Sequence, residues 1–349
     1  KTIEVKIGSV AIGAHNCVAI QSMTNTRTTD VEKTVAQIEE LAKAGAVIVR
    51  ASVPDVASAE AFRSIKAQTR VPLVADIHFS ADLAVAAIES GADKVRINPG
   101  NIGGPEKVRR VVDAAKSAGV AIRIGVNSGS LEKELLERFG GPTPQALLES
   151  ALGHIRLLES MNFDKIVLSI KASDVLTTIG ACRLLADHTT YPQHIGITES
   201  GTVKTGTIRS AVGIGTLLAE GIGDTIRVSL AGDPVNEIGV AQEILKSLNL
   251  ASGPVVIACP TCSRTRIDVA SLAERVEALV STMQTPIKVA VMGCVVNGPG
   301  EAREADIGIA GGDGDGWIFV KGQKVARVDE ANLIEELQKQ IEALARDMD

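Results

Sequence analysis

The chain has 349 residues, of which 45% are hydrophobic and 22% are charged, and its formal net charge at pH 7 is −6. This balance is typical of a folded globular protein and excludes a disordered chain. The acidic net charge and an aromatic content of only 2% argue against a protein that binds nucleic acid through phosphate contacts or base stacking.

Short β-branched segments alternate with amphipathic helical segments up to residue 250, after a small hairpin over residues 3–12. Eight further strands are predicted at residues 18–21, 47–51, 73–77, 94–97, 121–126, 165–169, 193–198 and 225–229. Because eight such units with doubly buried strands favour closure, we predict an α/β fold that is a (β/α)8 TIM barrel. The alternative is an open doubly wound sheet, but no Gly-x-Gly-x-x-Gly follows the first strand.

The pattern restarts after a cluster of turn-forming residues at 248–254. Beyond it we predict strands at 255–258, 287–291 and 306–310, a helix at 271–281, a hairpin at 317–328 and a helix at 330–345. We therefore predict a TIM barrel over residues 1–250 and a small α/β domain over residues 251–349. The small domain has 10 Lys and Arg against 15 Asp and Glu, whereas the barrel has 26 against 27.

Charged residues fall at the C-terminal ends of the barrel strands, where barrels of this type form their active sites. The five cations are Arg50, Arg96, Arg123, Lys171 and Arg227. Five like charges in one cleft repel each other and lose hydration, so they predict a polyanionic ligand, with phosphate the usual partner of guanidinium groups. Asp76, His78 and Glu199 are candidates for acid–base chemistry, although a carboxylate at such a place can simply pair with an arginine.

Three of the five cysteines, Cys259, Cys262 and Cys294, lie in the last 100 residues. A redox Cys-x-x-Cys pair normally opens a helix and needs no third cysteine. Zinc takes four ligands, and the chain has no histidine after His194. Three thiolates suit an iron–sulfur cluster, and Glu301, on a Gly/Pro loop beyond Cys294, is a candidate for the fourth ligand.

The cysteine content also bears on the compartment. An odd count in a large chain without a secretion signal suggests reduced thiols, so we expect a cytoplasmic protein. No run of about 18 apolar residues occurs, and we expect no membrane span.

Five motifs occur in order along the chain. They are Gln-Ser-Met-Thr-Asn-Thr at 21–26, Asn-Pro-Gly-Asn-Ile-Gly at 98–103, Asn-Ser-Gly-Ser-Leu-Glu at 127–132, Cys-Pro-Thr-Cys at 259–262 and Met-Gly-Cys-Val-Val-Asn-Gly-Pro-Gly-Glu at 292–301. Together they closely resemble the bacterial 4-hydroxy-3-methylbut-2-enyl diphosphate synthase family of the non-mevalonate isoprenoid pathway, over essentially the whole chain. Two small departures from the family pattern are Ser200, where alanine is usual, and Ser263, where glycine is usual.

The resemblance implies an enzyme that opens and reduces 2-C-methyl-D-erythritol 2,4-cyclodiphosphate to 4-hydroxy-3-methylbut-2-enyl diphosphate. It implies a [4Fe-4S] cluster held by Cys259, Cys262, Cys294 and Glu301, with flavodoxin or ferredoxin as the electron donor. The implied substrate-binding residues are Arg50, Arg96, Asn98, Arg123, Asn127, Lys171, Arg227 and Ser229. The implied catalytic residues are Glu199, Asp76 and His78, with Glu199 donating a proton to the leaving hydroxyl. A homodimer is implied as well, in which the cluster domain of one subunit faces the barrel of the other.

Two other functions stay open on the residues alone. One is a phosphate-ester transferase on a pterin-synthase-like barrel, with a structural zinc site in the small domain. The other is a non-catalytic iron–sulfur sensor or nucleic-acid module, which the acidic small domain and the few aromatic residues disfavour. The same acidity means that an acidic flavodoxin would need a local basic patch for docking, because net charge does not steer it.

Overall fold

The computed structural model of the protein describes residues 1–281, 283, 285–294 and 305–346. Its contacts divide the chain into two units, Lys1–Leu250 and Ala251–Asp349. Within the described ranges, no helix has both the length and the apolar character needed to cross a membrane.

The first unit is a parallel barrel preceded by a hairpin. The hairpin consists of the antiparallel strands β1 (Val5–Ile7) and β2 (Val10–Ile12). The barrel strands are β3 (Ala19–Met23), β4 (Ile48–Ser52), β5 (Leu73–Asp76), β6 (Lys94–Ile97), β7 (Ala121–Asn127), β8 (Ile166–Lys171), β9 (His194–Ile195) and β10 (Thr225–Ile226). Their order is β8-β7-β6-β5-β4-β3-β10-β9, and a parallel bridge between Leu168 and Gln193 joins the two ends. The TIM-barrel prediction is therefore confirmed, and the doubly wound alternative is wrong.

The last two barrel strands are shorter than the sequence predicts. β9 and β10 have two residues each, whereas strands were expected over 193–198 and 225–229. A Cβ atom at Gly196 would lie 2.3 Å from the carbonyl oxygen of Arg227. The two backbones therefore approach closely beyond Ile195, and the regular ladder ends there.

Ten helices described in the first unit surround the barrel. They are α1 (Val31–Ala44), α2 (Val56–Gln68), α3 (Ala81–Glu89), α4 (Pro99–Ile102), α5 (Pro105–Ala118), α6 (Lys133–Phe139), α7 (Pro144–Glu159), α8 (Val175–His188), α9 (Val203–Ala219) and α10 (Pro234–Ser247). Local sequence explains their ends: Asp30 accepts a hydrogen bond from the Lys33 amide at the start of α1, and Gly45 takes a left-handed conformation at its end.

Alternate strand residues face the helices and the barrel interior. The outward residues are apolar and pack under the helices in one large core. At the N-terminal end of the barrel, Val5, Ile7 and Ile12 of the hairpin pack against inward residues. These inward residues are Ala19, Ile48, Val74, Ala121 and Val167. The hairpin thus closes the bottom of the barrel with an apolar floor.

The strand registers arrange the inward residues in levels of four, each drawn from alternate strands. The floor level contains Ile48, Lys94, Val167 and Thr225. The deep level above it contains Gln21, Val74, Arg123 and His194. Next comes the arginine level, which contains Arg50, Arg96, Ser169 and Arg227. The upper level, nearer the mouth, contains Met23, Asp76, Gly125 and Gly196.

The second unit is a five-stranded sheet covered by two helices. Its elements are β11 (Val255–Ala258), α11 (Val269–Val280), β12 (Lys288–Met292), β13 (Ile307–Gly311), β14 (Asp315–Val320), β15 (Gln323–Asp329) and α12 (Leu333–Arg346). The strands follow one another in chain order, with β11, β12 and β13 parallel and the last two antiparallel. Both helices pack on one face of the sheet, and the α/β prediction for this region is confirmed.

Candidate active site

The arginine level is held together by one carboxylate of the upper level, Asp76. Arg96 Nη1 lies 3.2 Å from Asp76 Oδ1, and Arg50 Nε lies 3.9 Å from Asp76 Oδ2. All three side chains are at least nine-tenths buried. Burial alone would raise the pKa of Asp76, but the charge of Arg50, a hydrogen bond from His78 and the charge of Arg96 together hold that pKa well below its usual range. Asp76 therefore stays ionised and fixes two arginines.

A second carboxylate, Glu237, holds Arg227. The guanidinium group donates Nε to Glu237 Oε2 at 3.2 Å and Nη2 to Oε1 at 3.3 Å. The amide of Leu230 also donates to Glu237 Oε1, at 3.1 Å. Glu237 is not predicted from the sequence as a site residue, because an acidic residue in the first turn of a helix is usually assigned to favourable charge at the helix N-terminus.

Three further cations in the barrel interior have no described carboxylate partner: Lys94, Arg123 and Lys171. Burial lowers the pKa of each well below its usual value, and neighbouring cations lower it further. Lys94 was also missed by the sequence analysis, although its alternation with Arg96 places both on one face of a strand. The described interior thus has six cations, of which only three contact a carboxylate, and this excess of positive charge fits a site for a polyanion.

Two glycines of the upper level make room for these long side chains. A Cβ atom at Gly125 would lie 2.6 Å from Arg96 Nε, and one at Gly196 would lie 3.0 Å from Lys171 Nζ. Real Cβ atoms do not approach other atoms as closely as the first distance. Glycine at these inward positions therefore leaves space for the Arg96 and Lys171 side chains inside the barrel.

The loops at the mouth present amide and hydroxyl groups. Asn98 caps the short helix α4 by accepting a hydrogen bond from the Gly100 amide at 3.0 Å. Asn127 ends β7 and precedes a 3-10 helix at Ser128–Ser130, and Ser229 lies in the loop after β10. These predicted binding residues thus lie at or just beyond the C-terminal ends of strands that carry the buried cations.

Side-chain contacts behind these loops, which the sequence does not predict, connect them to α7. Glu132 Oε1 accepts a hydrogen bond from Ser150 Oγ at 3.1 Å and lies 3.2 Å from His154 Nε2. A Cβ atom at Gly100 would be 3.4 Å from His154 Cε1. Glu132 and His154 therefore pack the Asn127 loop and the Asn98 loop against α7. Glu132 is the last residue of the motif at 127–132, but the motif alone does not show that its carboxylate contacts Ser150 and His154.

His78 and Glu199, the other acid–base candidates, lie at the mouth. His78 is about half exposed, with Nε2 3.5 Å from Asp76 Oδ2 and Nδ1 3.3 Å from Arg96 Nη1. Glu199 is exposed and has a φ of +52°, a strained conformation for a residue with a side chain. The next residue, Ser200, is buried and donates its hydroxyl to the carbonyl of Ser229. That anchor holds the turn that presents Glu199 to solvent.

The cysteines of the second unit lie around one end of its sheet. Cys259 follows β11 and Cys294 follows β12, and these strands are parallel neighbours. The Gly293 amide donates to Cys259 Sγ at 3.1 Å, and the Arg266 amide donates to the Gly293 carbonyl at 2.9 Å. The second hydrogen bond ties the loop that carries Cys262, which is exposed, to the same strand end. Three thiols so placed suit a soft metal ion or cluster.

The fourth candidate ligand, Glu301, lies outside the described residues. Among those that are described, no group of three His, Cys, Asp or Glu side chains is already assembled as a metal site. The remaining cysteines belong to the barrel unit, where Cys17 is exposed and Cys182 is buried.

Comparison with known proteins gives matches in both units. Residues 2–242 match the family model described as the GcpE TIM-barrel domain, and residues 255–343 match that of the GcpE protein C-terminal domain. The 4-hydroxy-3-methylbut-2-en-1-yl diphosphate synthase (flavodoxin) of Caldanaerobacter subterraneus subsp. tengcongensis is 57% identical, over 99% of this chain and 98% of that protein. An enzyme of the same name from Bacillus cereus is 56% identical, over 100% of this chain and 94% of that protein.

Solved structures resemble the barrel more distantly. The dihydropteroate synthase of Yersinia pestis has a TM-score of 0.51 and 13% identity, and it covers 72% of this chain and 100% of its own. The N-acetylneuraminic acid synthetase of Leptospira borgpetersenii has a TM-score of 0.52 and 13% identity, over 81% of this chain and 99% of its own. At these identities the likeness concerns the fold alone.

The upper-level glycines give a first testable prediction. Gly125→Ala would force Arg96 out of its position, because the new methyl group occupies the space of the guanidinium. Loss of one charge-assisted contact should weaken binding of inorganic diphosphate about ten-fold in calorimetry. The matched control is Gly153→Ala on α7, where a Cβ meets nothing within 4 Å and affinity should stay unchanged. Equal affinity in both variants would contradict the assigned role of Gly125.

A second prediction concerns Asp76. Asp76→Asn keeps the shape but leaves Arg50 and Arg96 without their counter-charge, which should cost about 3 kcal/mol in urea unfolding at pH 7. Because the folded-state pKa of Asp76 is lowered, its contribution is present above the unfolded pKa of about 3.9 and is lost as the pH falls below it. The stability difference should therefore hold from pH 7 to pH 5 and shrink below about pH 4. A variant as stable as the wild type at pH 7 would contradict this.

Proposed function

Because the chain belongs to the GcpE family of 4-hydroxy-3-methylbut-2-en-1-yl diphosphate synthases, we propose that its barrel interior binds the substrate and that its second unit holds the redox centre. The enzyme converts 2-C-methyl-D-erythritol 2,4-cyclodiphosphate to 4-hydroxy-3-methylbut-2-enyl diphosphate. The reaction takes up two electrons and two protons. The bond between C2 and its phosphate oxygen breaks, which opens the ring, and one hydroxyl leaves as water. The main support for this assignment is the arginine level, which lies inside a barrel whose net charge is close to zero.

The substrate is a cyclic diphosphate, and the barrel cations are suited to its two phosphates. In the proposal, these phosphates pair with guanidinium and ammonium groups that enter from five different strands. The residues assigned to them are Arg50, Arg96, Arg123, Lys171 and Arg227. The carbohydrate hydroxyls and the remaining phosphate oxygens take hydrogen bonds from the mouth loops, through Asn98, Asn127 and Ser229. Strand ends fix these groups before the ligand arrives, which lowers the entropy cost of binding.

The three candidate acid–base residues differ in burial, and we assign their roles accordingly. Glu199 is exposed at the mouth, and we assign it as the proton donor to the leaving hydroxyl. Asp76 is among the candidate catalytic residues, but its low pKa keeps it ionised, so its role in the proposal is to position Arg50 and Arg96. His78 contacts Asp76 and Arg96 and is open to the mouth, where it can donate a hydrogen bond to a phosphate.

The thiols of the second unit fit the iron–sulfur cluster of an electron-transfer enzyme. We assign Cys259, Cys262 and Cys294 as ligands of a [4Fe-4S] cluster, with Glu301 as the fourth. When bound, the cluster supplies electrons one at a time from a low-potential donor. The harder oxygen ligand would make one iron more open than the three held by thiolates.

The proposal extends to partners. The relatives' names specify flavodoxin, and we propose flavodoxin as the electron donor, with ferredoxin as the alternative. We also propose a cytoplasmic homodimer in which one subunit's cluster unit faces the other's barrel. The association of two subunits, though not their orientation, is supported by α9, which exposes Val203, Ile208 and Val212 beside a groove of about 380 Å³ that α9 and α10 line. Exposed apolar residues grouped on one helix are typical of an interface.

The direct test uses anaerobically purified protein with the cyclodiphosphate and chemically reduced flavodoxin. Wild type should contain iron and sulfide and form the ring-opened product. Cys262→Ser should lose most of the cluster absorbance and turnover, whereas Cys17→Ser should keep both, because each replaces one exposed cysteine but only Cys262 is assigned as a ligand. Zinc without sulfide would contradict the cluster, and a cluster without turnover would indicate a sensor.

Glu199 can be tested separately. Glu199→Gln removes the transferable proton while keeping the size of the side chain, so turnover should fall about 10²–10⁴-fold while substrate affinity stays within about two-fold. The control is Glu60→Gln, an exposed glutamate of α2, which should leave both unchanged. Wild-type turnover in Glu199→Gln would remove this residue from the mechanism.

A further inference from the structure

The sulfur of Met23 lies between two of the arginines assigned to the phosphate site. Arg50 Nε donates to Met23 Sδ at 3.1 Å, and Arg227 Nη1 donates to the same atom at 3.4 Å. Arg50 is on β4 and Arg227 follows β10, and these are the two strands that flank β3 in the barrel. The proposed function gives no role to Met23 or to the motif at 21–26 that contains it.

The two guanidinium groups depend on different carboxylates. Arg50 Nε is 3.9 Å from Asp76 Oδ2, which is too long for a hydrogen bond, whereas Glu237 accepts from both Nε and Nη2 of Arg227. Burial lowers the pKa of Arg50 to about 10, because the charge of Asp76 opposes only part of this effect and the charge of Arg227 adds to it. The two arginines therefore repel each other, and the Met23 sulfur is an uncharged atom that both contact.

The chemistry of this acceptor matters for a phosphate site. A thioether sulfur accepts hydrogen bonds weakly, has no charge and has no hydrogen to donate. An ionised carboxylate at the same place would form hydrogen bonds about twice as strong, and it would compete with phosphate for the guanidinium groups. An aliphatic side chain would remove the acceptor of the Arg50 Nε–H. A sulfur atom can thus orient two cations while it leaves their charge available to an anion.

We propose that Met23 is a positioning residue of the phosphate site, and that its sulfur fixes the spacing of Arg50 and Arg227 before an anion binds. The inference rests on the proposed assignment of these two arginines to the substrate phosphates. Long side chains lose conformational freedom when a ligand orders them, so ordering them in advance raises the affinity. The role concerns binding alone, and the sulfur takes no part in the transfer of electrons or protons.

Calorimetric titration of the anaerobically purified full-length protein with inorganic diphosphate tests this role. Met23→Leu nearly keeps the side-chain volume and removes the acceptor, so the affinity should fall about five-fold. The thermal unfolding midpoint should stay within about 3 °C of that of the wild type. The matched control is Met161→Leu, the same substitution in the apolar core of the barrel unit, which should leave the affinity unchanged. An affinity that is unchanged or higher in Met23→Leu would overturn the proposal.

Met23→Glu gives a second readout, in which affinity and stability should change differently. The new carboxylate offsets buried positive charge, so the unfolding midpoint should be no lower than that of the wild type. The same carboxylate competes with the ligand, so the affinity for diphosphate should fall below that of Met23→Leu. Affinity equal to that of the wild type, or a joint fall of affinity and midpoint, would contradict a positioning role.

Kinetics separate this inference from the proposed function. With the cyclodiphosphate as substrate, Met23→Leu should raise KM about five-fold and leave kcat within about two-fold of the wild-type value. A wild-type protein that does not bind inorganic diphosphate would contradict the proposed phosphate site and this inference with it. Diphosphate binding that is equally tight in the wild type and in Met23→Leu would overturn this inference alone.

Discussion

The structure of the barrel depends on how its interior tolerates buried positive charge. Barrels of this type normally fill their interior with layers of branched apolar side chains. Here three of the four residues at one level are arginines, and one ionised carboxylate, Asp76, touches two of them. Removing a charge from water costs several kcal/mol unless it is paired, so Asp76 and Glu237 are requirements for folding as much as features of a binding site.

Other features of the barrel result from this constraint. The stability that an apolar interior would supply comes from the outward strand faces under the helices and from the hairpin floor. The inward glycine at 125 leaves the space that the Arg96 guanidinium occupies, whereas a Cβ at Gly196 would meet the Arg227 carbonyl before it met Lys171. The cations that the protein leaves unpaired favour the binding of an anion. Part of the free energy that burying these cations costs is therefore recovered when the anion binds.

Periodicity and strand position determine how much of this architecture the sequence could predict. The alternation of strand and helix segments predicts the barrel. Because active sites of such barrels form at the C-terminal ends of the strands, the sequence also identifies Arg50, Arg96 and Arg227. Glu237 escapes although it lies only ten residues after Arg227, because an acidic residue in the first turn of a helix is also expected where it pairs with no cation. Lys94 escapes because it lies at the start of a strand, where a cation is normally solvated, and only the closed barrel buries it. A cation that becomes buried only when the barrel closes leaves no local signal in the sequence.

The charge count of the interior also bears on the direction of the reaction. Opening the ring frees one phosphate oxygen from carbon, so the product has one more negative charge than the substrate. The six cations described in the interior exceed the two carboxylates that contact them by four, so a bound substrate with two negative charges would leave positive charge unmatched. The additional negative charge that ring opening produces would be offset by this excess. A site that complements the additional negative charge of the product better than the charge of the substrate lowers the barrier to ring opening.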